Sequence, residues 1–269
     1  MRKIATLLLL SVTLAAGPAH AEGEARILDN SLTVLTEVQA MPDLQVPDWL
    51  LQRAEGIAIL PEVIKAGAFV GGRGGTGVLL VRHPDGSWSN PLFIGIGAGS
   101  VGWQFGVQAA DIVLVFTTRK SIEGITDGKI TLGGDASAVA GPVGRTASAA
   151  TSVTLDAEVY SYSRAKGLFA GVSLEGSILF IRDNANERFY GKDKVAPSEI
   201  IDPMAPLAPP PAPALIEEVA RITTGQPATE TPATEPATAP AAAPAPTQPP
   251  PAGAQTFPMA DPNPGAEPN

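Results

Sequence analysis

The first periodic pattern in the chain is helical. Over residues 24–40 the apolar side chains recur every three or four positions, which places them on one face of an α-helix. These side chains belong to Ile27, Leu28, Leu32, Leu35 and Val38. Such a helix either covers a sheet or lies on a membrane, and its acidic polar face favours the first, because membrane-surface helices are rich in Lys and Arg. A second helix is predicted in "VPDWLLQRAEG", starting at Pro47 and Asp48 and stopping at Gly56.

After Gly56 the pattern changes to short apolar runs separated by turn residues, which is typical of strands. Segment 62–69, "EVIKAGAF", is predicted to be a turn or a short helix, and "GGRGGTG" over 71–77 a tight, flexible turn that leads into a hairpin. That hairpin turns at Asp85-Gly86, the strongest short-range hairpin signal in the chain. The apolar run over 102–118 is predicted to form one or two strands.

The second half of the domain continues the strand pattern. Asp135 is predicted to cap a small helix from Ala136 to about Ala140. Segments 155–167 and 168–183 are predicted to form an antiparallel pair that turns at "RAKG". Six to eight strands with glycine turns and flanking helices predict an α+β fold, with an antiparallel, partly closed, barrel-like sheet behind N-terminal helices.

Both ends of the chain differ from this domain. Residues 1–21 combine a charged start, a 14-residue apolar run and "AHA" before Glu22, which predicts a cleaved bacterial Sec-type export signal and a periplasmic location. From Pro203 to Asn269, 19 of 67 residues are proline, so we predict a disordered tail in which only Ala214–Ile222 has the pattern of a short amphipathic helix. The predicted domain therefore spans residues 22–202.

The amino-acid composition excludes several kinds of functional site. The chain contains no cysteine, which excludes disulfides, thiolate metal sites, cysteine nucleophiles and a lipid-modified N-terminal cysteine. After the signal segment His83 is the only histidine, so a histidine-rich metal site is excluded. The net charge of −9 and the lack of any basic run argue against nucleic acid. No cofactor or metal is predicted.

No motif in the chain predicts catalysis. Gly72-x-Gly74-x-x-Gly77 fits the dinucleotide fingerprint, but apolar residues and a turn follow it where a helix is required, and no Gly-Lys-Ser/Thr is present. His83 is interpreted as an exposed structural histidine. Asp156 and Glu158, two apart on a predicted strand, are compatible with acid–base chemistry and equally with a solvated strand face. We predict no catalytic residues.

Glycine recurs beside small and aromatic residues, in "GGRGGTG", "GIGAGSVGWQFG" and "GLFAGVSLEG". This repetition indicates either tight strand packing or a groove where an extended apolar ligand approaches the backbone. Six cations fall near predicted loops or strand ends, where they could meet an anionic head group. They are Arg73, Arg119, Lys120, Arg145, Arg164 and Lys166.

The order of these blocks resembles the SYLF domain. The resemblance runs from about Leu28 to Gly191 through "AEGIAILPEVIKAGAFVGGRGGTGVLLVR", "GSWSNPLFIGIGAGSVGWQFGVQAADIVLVF", "DASAVAGPVGR" and "VYSYSRAKGLFAGVSLEGSILFIRDNANERFYG". It implies a lipid-binding or membrane-associated module without catalysis, with an amphipathic membrane helix at a position corresponding to residues 24–40. Actin binding, known for eukaryotic members, is not carried over to an exported chain. Anionic phospholipid is the expected ligand, and an envelope protein bound through the tail is an alternative.

Overall fold

The computed structural model describes residues 21–39, 46–67, 70–101, 106–143, 157–165 and 168–225. Four regions named above lie outside this part: the predicted export signal up to residue 20, Arg145, Asp156 and Lys166. The predicted tail beyond Gly225 also lies outside it. Every described residue belongs to a single compact unit.

The described residues form nine strands in one curled sheet. The strands are β1 (Gly56–Gly67), β2 (Val70–Val81), β3 (Leu92–Val101), β4 (Gly106–Phe116), β5 (Lys129–Thr131), β6 (Ala138–Ala140), β7 (Val159–Ala165), β8 (Leu168–Gly171) and β9 (Ile178–Ile181). Their order is β5-β9-β3-β2-β1-β4-β7-β6, and β8 also pairs with β7. All pairs are antiparallel except β6 with β7. This arrangement confirms the predicted α+β class with a partly closed sheet.

Six helices accompany the sheet in the described part of the chain. They are α1 (Ala21–Gln39), α2 (Asp48–Gln52), α3 (Arg119–Thr126), α4 (Asp183–Tyr190), α5 (Pro197–Ile200) and α6 (Ala212–Thr224). Helices α1, α2, α4 and α6 contribute to one apolar cluster, and α3 and α5 to another. The helices therefore bury both faces of the sheet.

The two clusters follow the alternation of side chains along each strand. Ile57, Ile59 and Leu80 point to the cluster with α1 and α6, and we call this side the outer face. Ala58, Leu60 and other residues of opposite parity point to the cluster with α3 and α5, and we call this side the inner face. Because both faces are buried here, the central strands read as almost continuous apolar runs.

Helix α1 packs against the sheet. Leu28, Val34, Leu35 and Val38 are between 1% and 3% exposed and contribute to the outer-face cluster. The buried Glu24 accepts a hydrogen bond from Arg188 Nε at 3.0 Å, which ties α1 to α4. Of the two possibilities for the N-terminal helix, the structure therefore supports packing, and the apolar face of α1 is covered.

Segment 62–69 was predicted to be a turn or a short helix. For residues 62–67 this prediction is wrong, and residues 68–69 lie outside the described part of the chain. Strand β1 continues to Gly67, interrupted by a bulge around Pro61 and Glu62, where Glu62 has a φ of 53°. The Asp111 carboxylate holds the bulge by accepting a hydrogen bond from the Glu62 N–H at 3.0 Å. A bulge of this kind bends a strand without ending it.

The glycine run over 71–77 is also a strand, and not the predicted turn. Arg73 lies opposite Lys65 on β1 and opposite Ala98 on β3, so backbone ladders run along both sides of the segment. Hydrogen bonding to two neighbouring strands outweighs the low strand propensity of glycine, because strand propensity depends strongly on tertiary context.

The predicted helix over Ala136–Ala140 is absent from this part of the structure. Ala136 forms an isolated bridge with Leu132, and Ala138–Ala140 is the parallel strand β6. The Asp135 carboxylate accepts the Thr131 N–H at 2.8 Å and so closes a turn, the other common role of Asp besides helix capping.

The first predicted hairpin is confirmed, and the second is confirmed only as far as Gly171, because Ile178–Ile181 is a separate strand that pairs with β3 and β5. At Asp85-Gly86 the His83 N–H donates to Ser87 O at 2.8 Å, and Gly86 adopts a φ of 89°. Strands β7 and β8 pair antiparallel on either side of residues 166–167.

The folded part of the chain continues past Pro203, where the sequence predicted a disordered tail. Helix α6 begins at Ala212, and its residues Ala212, Leu215 and Val219 are fully buried. Thr223 near its end accepts a hydrogen bond from Trp88 Nε1 at 3.2 Å. The short amphipathic helix predicted within the tail is therefore confirmed as part of the core.

Candidate ligand-binding cleft

Three pairs of consecutive strands meet at one end of the sheet. We call it the hairpin end, because β1 joins β2, β3 joins β4, and β7 joins β8 there. Gly67 lies opposite Gly71 and also opposite Gly106, so glycine backbones come together at this end. Strand β1 is buried from Gly56 to Pro61 and mostly exposed beyond it. The buried core therefore ends near the bulge, and most of the residues of β1 beyond the bulge are exposed to solvent.

A cleft of about 650 Å³ lies on the inner face near the hairpin end. Such a volume is typical of small-molecule sites. Val63, Ile112 and Leu174 line the cleft and are at most 3% exposed, so its deep part is apolar and continuous with the core. The remaining lining residues are Lys65, Arg73, Val107, Gln108, Ala109, Ala110, Ser163, Ala165 and Val172.

Two cations stand side by side in this cleft. Lys65 on β1 and Arg73 on β2 are direct cross-strand partners. Within the described part of the chain neither forms an ion pair. Burial lowers the pKa of the Arg73 guanidinium below its ordinary value. Like charges directly opposite on neighbouring strands destabilise a sheet, and an anion between them would remove that penalty.

Two other cations singled out from the sequence have acidic partners. Arg119 pairs with Glu55 at 3.0 Å and also donates to the backbone carbonyl of Arg82. Lys120 lies 3.7 Å from Glu158. Their charges are balanced at the α3 side of the molecule, and the structure does not bring them to the inner cleft.

Arg164 is a structural residue. Its guanidinium donates to Asp111 Oδ2 at 2.9 and 2.7 Å and pairs with Glu37, so it joins α1 to strands β4 and β7. Burial raises the pKa of the Asp111 carboxyl, the hydrogen bond from the Glu62 N–H lowers it, and the nearby Glu62 charge raises it. A second cleft of about 400 Å³ lies beside this network, but its cation is already neutralised.

Sequence reasoning missed Lys65. The error followed from the interpretation of 62–69 as a turn or helix, which hid the alternation Val63, Lys65, Gly67 on one face of β1. If this segment is read as a strand facing "VGGRGG", the same residues place Lys65 opposite Arg73.

The other sequence candidates take structural positions. His83 was predicted to be exposed, but it is buried, with 8% of its surface accessible. Glu158 accepts the Ser137 N–H at 3.0 Å just before β7 starts. Among the described residues no cluster of His, Cys, Asp and Glu could hold a metal ion, and no helix there is long and apolar enough to cross a membrane.

Fold and cleft together define a small α+β domain with an apolar cleft that carries two cations, neither of which forms an ion pair with another described residue. A profile of the Ysc84 family, described as "Las17-binding protein actin regulator", matches residues 97–222. The chain therefore carries a Ysc84-family domain, the same domain family as SYLF, and the resemblance read from the sequence is confirmed.

Three relatives illustrate the match. SH3 domain-containing YSC84-like protein 1 of Xenopus laevis is 36% identical over 187 residues, covering 68% of this chain and 56% of the relative. Its Homo sapiens counterpart is 38% identical over 179 residues, covering 65% and 52%. LAS seventeen-binding protein 3 of Saccharomyces cerevisiae is 41% identical over 174 residues, covering 60% and 38%. The chain thus spans about half the length, or less, of these relatives.

Proposed function

We propose that the protein is an exported, non-enzymatic module that binds anionic phospholipid through the inner cleft. The observation that carries the proposal is the Lys65–Arg73 pair, two cations directly opposite each other beside an apolar cavity. Export to the periplasm rests on the signal-like sequence of residues 1–21.

The chemistry of the cleft matches an anionic amphiphile. A phosphate placed between Lys65 and Arg73 would receive charge-assisted hydrogen bonds from both side chains. Partial burial of Arg73 reduces competition from water and strengthens such a contact. The apolar floor at Val63, Ile112 and Leu174 would then accept the first part of an acyl chain.

Loss of both charges is expected to abolish vesicle binding. A hydrogen bond to a charged group contributes about 1.5–3 kcal/mol, so Arg73→Gln or Lys65→Gln alone should weaken binding roughly tenfold or more. The measurement is flotation with phosphatidylglycerol/phosphatidylethanolamine vesicles, compared with phosphatidylcholine vesicles, at low and high salt. Binding of the wild-type protein should fall as salt rises, because salt screens exposed charges.

Lys129→Gln is the matched control, since Lys129 is an exposed strand cation at the far edge of the sheet, on β5. It should float like the wild type. Unchanged flotation of the double variant Lys65→Gln/Arg73→Gln would refute the cleft as the binding site, and failure of the wild type to float on any mixture would refute lipid binding.

The same pair predicts an effect on stability in the absence of lipid. Lys65→Gln removes a like-charge contact across two strands, and such contacts are worth about 0.2–1 kcal/mol. We therefore expect the melting temperature at low salt to rise by roughly 1–3 °C, given the dependence of Tm on domain size. Circular dichroism melts of Lys65→Gln, Lys129→Gln and the wild type measure this, and a lower Tm for Lys65→Gln would show that the two cations do not repel each other.

A further inference from the structure

Large apolar side chains are exposed at the hairpin end. Ile64, Val107 and Leu168 are 50%, 75% and 72% accessible. Ile64 lies opposite Ala109 and Val107 opposite Ala66 on the paired strands β1 and β4, and Leu168 opens β8 opposite Ala165. Strand parity places Ile64 and Val107 on the outer face and Leu168 on the inner face. We call Ile64, Val107 and Leu168 the apolar fringe. Its side chains lie on both faces of the sheet at the hairpin end.

The sign of charge at this end is opposite to that of the whole protein. Segments 63–77, 95–110 and 163–172, which include the strand ends on this side, contain four cations and no acidic residue in the sequence. The cations are Lys65, Arg73, Arg164 and Lys166, whereas the complete chain has a net charge of −9. Arg164 is paired with Asp111 at the base of the fringe, which leaves Lys65 and Arg73 as the unpaired charges among the described residues here.

The N-terminal helix is not an alternative contact surface in this fold. Its apolar residues pack on the sheet and on α6, and the Glu24–Arg188 and Glu37–Arg164 pairs fix both of its halves. To insert into a bilayer, α1 would have to leave the core, at the cost of several buried aliphatic side chains of about 1.5–3 kcal/mol each.

We propose that the hairpin end is the surface that docks on an anionic bilayer, with Ile64, Val107 and Leu168 entering the interface. This inference rests on the proposed lipid binding and specifies its orientation. The apolar fringe enters the head-group region while Lys65 and Arg73 attract anionic lipids, a combination that drives interfacial binding in general. Because Lys65 and Arg73 also line the inner cleft, a lipid can pass from the bilayer into the cleft without crossing water.

Single-cysteine labelling tests the orientation. The natural chain has no cysteine, so Val107→Cys and Leu168→Cys each carry one environment-sensitive fluorophore, such as NBD. Leu207→Cys is the matched control, because Leu207 is as exposed as Val107 at 75%. Its neighbour Pro206 accepts a hydrogen bond from Asn90, at the opposite end of the sheet, just before β3.

On phosphatidylglycerol/phosphatidylethanolamine vesicles the labels at residues 107 and 168 should shift to the blue, gain intensity several-fold and become shielded from aqueous iodide, while the label at 207 stays unchanged. Unlabelled wild-type protein is floated on the same vesicles in parallel. Flotation without any change at residues 107 and 168, or with a change at 207 of equal size, would overturn the docking surface while lipid binding stands. Absence of flotation would overturn both proposals.

Discussion

Ending the chain at Pro203 is expected to unfold the domain, whereas ending it at Gly225 is expected to leave it folded. The first truncation removes α6, whose Leu215 and Val219 are fully buried and whose Ile222 is 6% exposed. Burial of each such side chain contributes about 1.5–3 kcal/mol, so the three together supply roughly 5–9 kcal/mol. That amount is comparable to the whole free energy of unfolding of a typical domain, about 5–15 kcal/mol.

Urea titrations followed by circular dichroism compare the two truncations with the complete chain. The chain ending at Gly225 should have the same midpoint as the complete chain, and the chain ending at Pro203 should show no cooperative transition. Leu215→Ala, expected to cost about 2–5 kcal/mol, provides an intermediate case. A cooperative transition of native midpoint after truncation at Pro203 would show that α6 does not contribute to the core.

The chain ending at Gly225 also separates the domain from the remainder of the tail. An envelope protein bound through the Pro-rich tail is the alternative function that the sequence predicts. Pull-downs from envelope extract with the complete and shortened chains test it. Partners lost with the tail while vesicle flotation is unchanged would assign protein binding to the tail and lipid binding to the domain.

Local patterns in the sequence were sufficient for some elements and insufficient for others. The spacing of Leu28, Leu35 and Val38 identified α1, and Asp85-Gly86 identified a hairpin, because both signals act within a few residues. The strand at Gly71–Gly77 was missed, since it is held by β1 and β3 and not by its own propensity. The helical pattern at Ala214–Ile222 was recognised, but the helix was assigned to the tail, because its packing into the core depends on tertiary contacts and not on its own sequence.

The sequence identified one cation of the candidate site but not which of the selected cations have acidic partners. Arg73 was selected as a cation near a predicted loop, and the structure places it beside the apolar cleft, while its role in binding stays a prediction. Arg119 and Arg164 were selected on the same grounds, but Glu55 and Asp111 neutralise them. These partners are more than 50 residues away along the chain, so local sequence cannot distinguish a paired cation from an unpaired one.

Gly77→Ala is expected to destabilise the domain by about 3 kcal/mol or more, an effect at the upper end of overpacking changes. A Cβ atom at Gly77 would lie 2.6 Å from Leu60 Cα and 2.8 Å from Ile59 C, and closer still to Ile59 O. All three atoms belong to the backbone of β1 next to the bulge, so no side-chain rotation relieves the overlap. The backbone of β1 would have to move, and with it the bulge that Asp111 holds.

The neighbouring glycines provide a graded control within the same motif. A Cβ at Gly74 would have Ile96 O at 3.9 Å as its nearest neighbour, so Gly74→Ala should be neutral or slightly stabilising. At Gly75 the nearest atom is Val63 Cγ2 at 2.8 Å, the end of a side chain, with Val63 Cα at 3.1 Å, and an intermediate loss is expected.

Urea midpoints should therefore fall in the order Gly74→Ala, Gly75→Ala, Gly77→Ala. Equal losses at Gly74 and Gly77 would contradict this order and would indicate that the glycines are required for a shared backbone conformation or a ligand. This order is expected if a glycine is required at position 77 because the backbone of the neighbouring strand β1 leaves no room for a Cβ atom. Such a requirement concerns packing. On that basis the Gly72-x-Gly74-x-x-Gly77 pattern arises from strand packing, and its resemblance to a nucleotide loop carries no functional information.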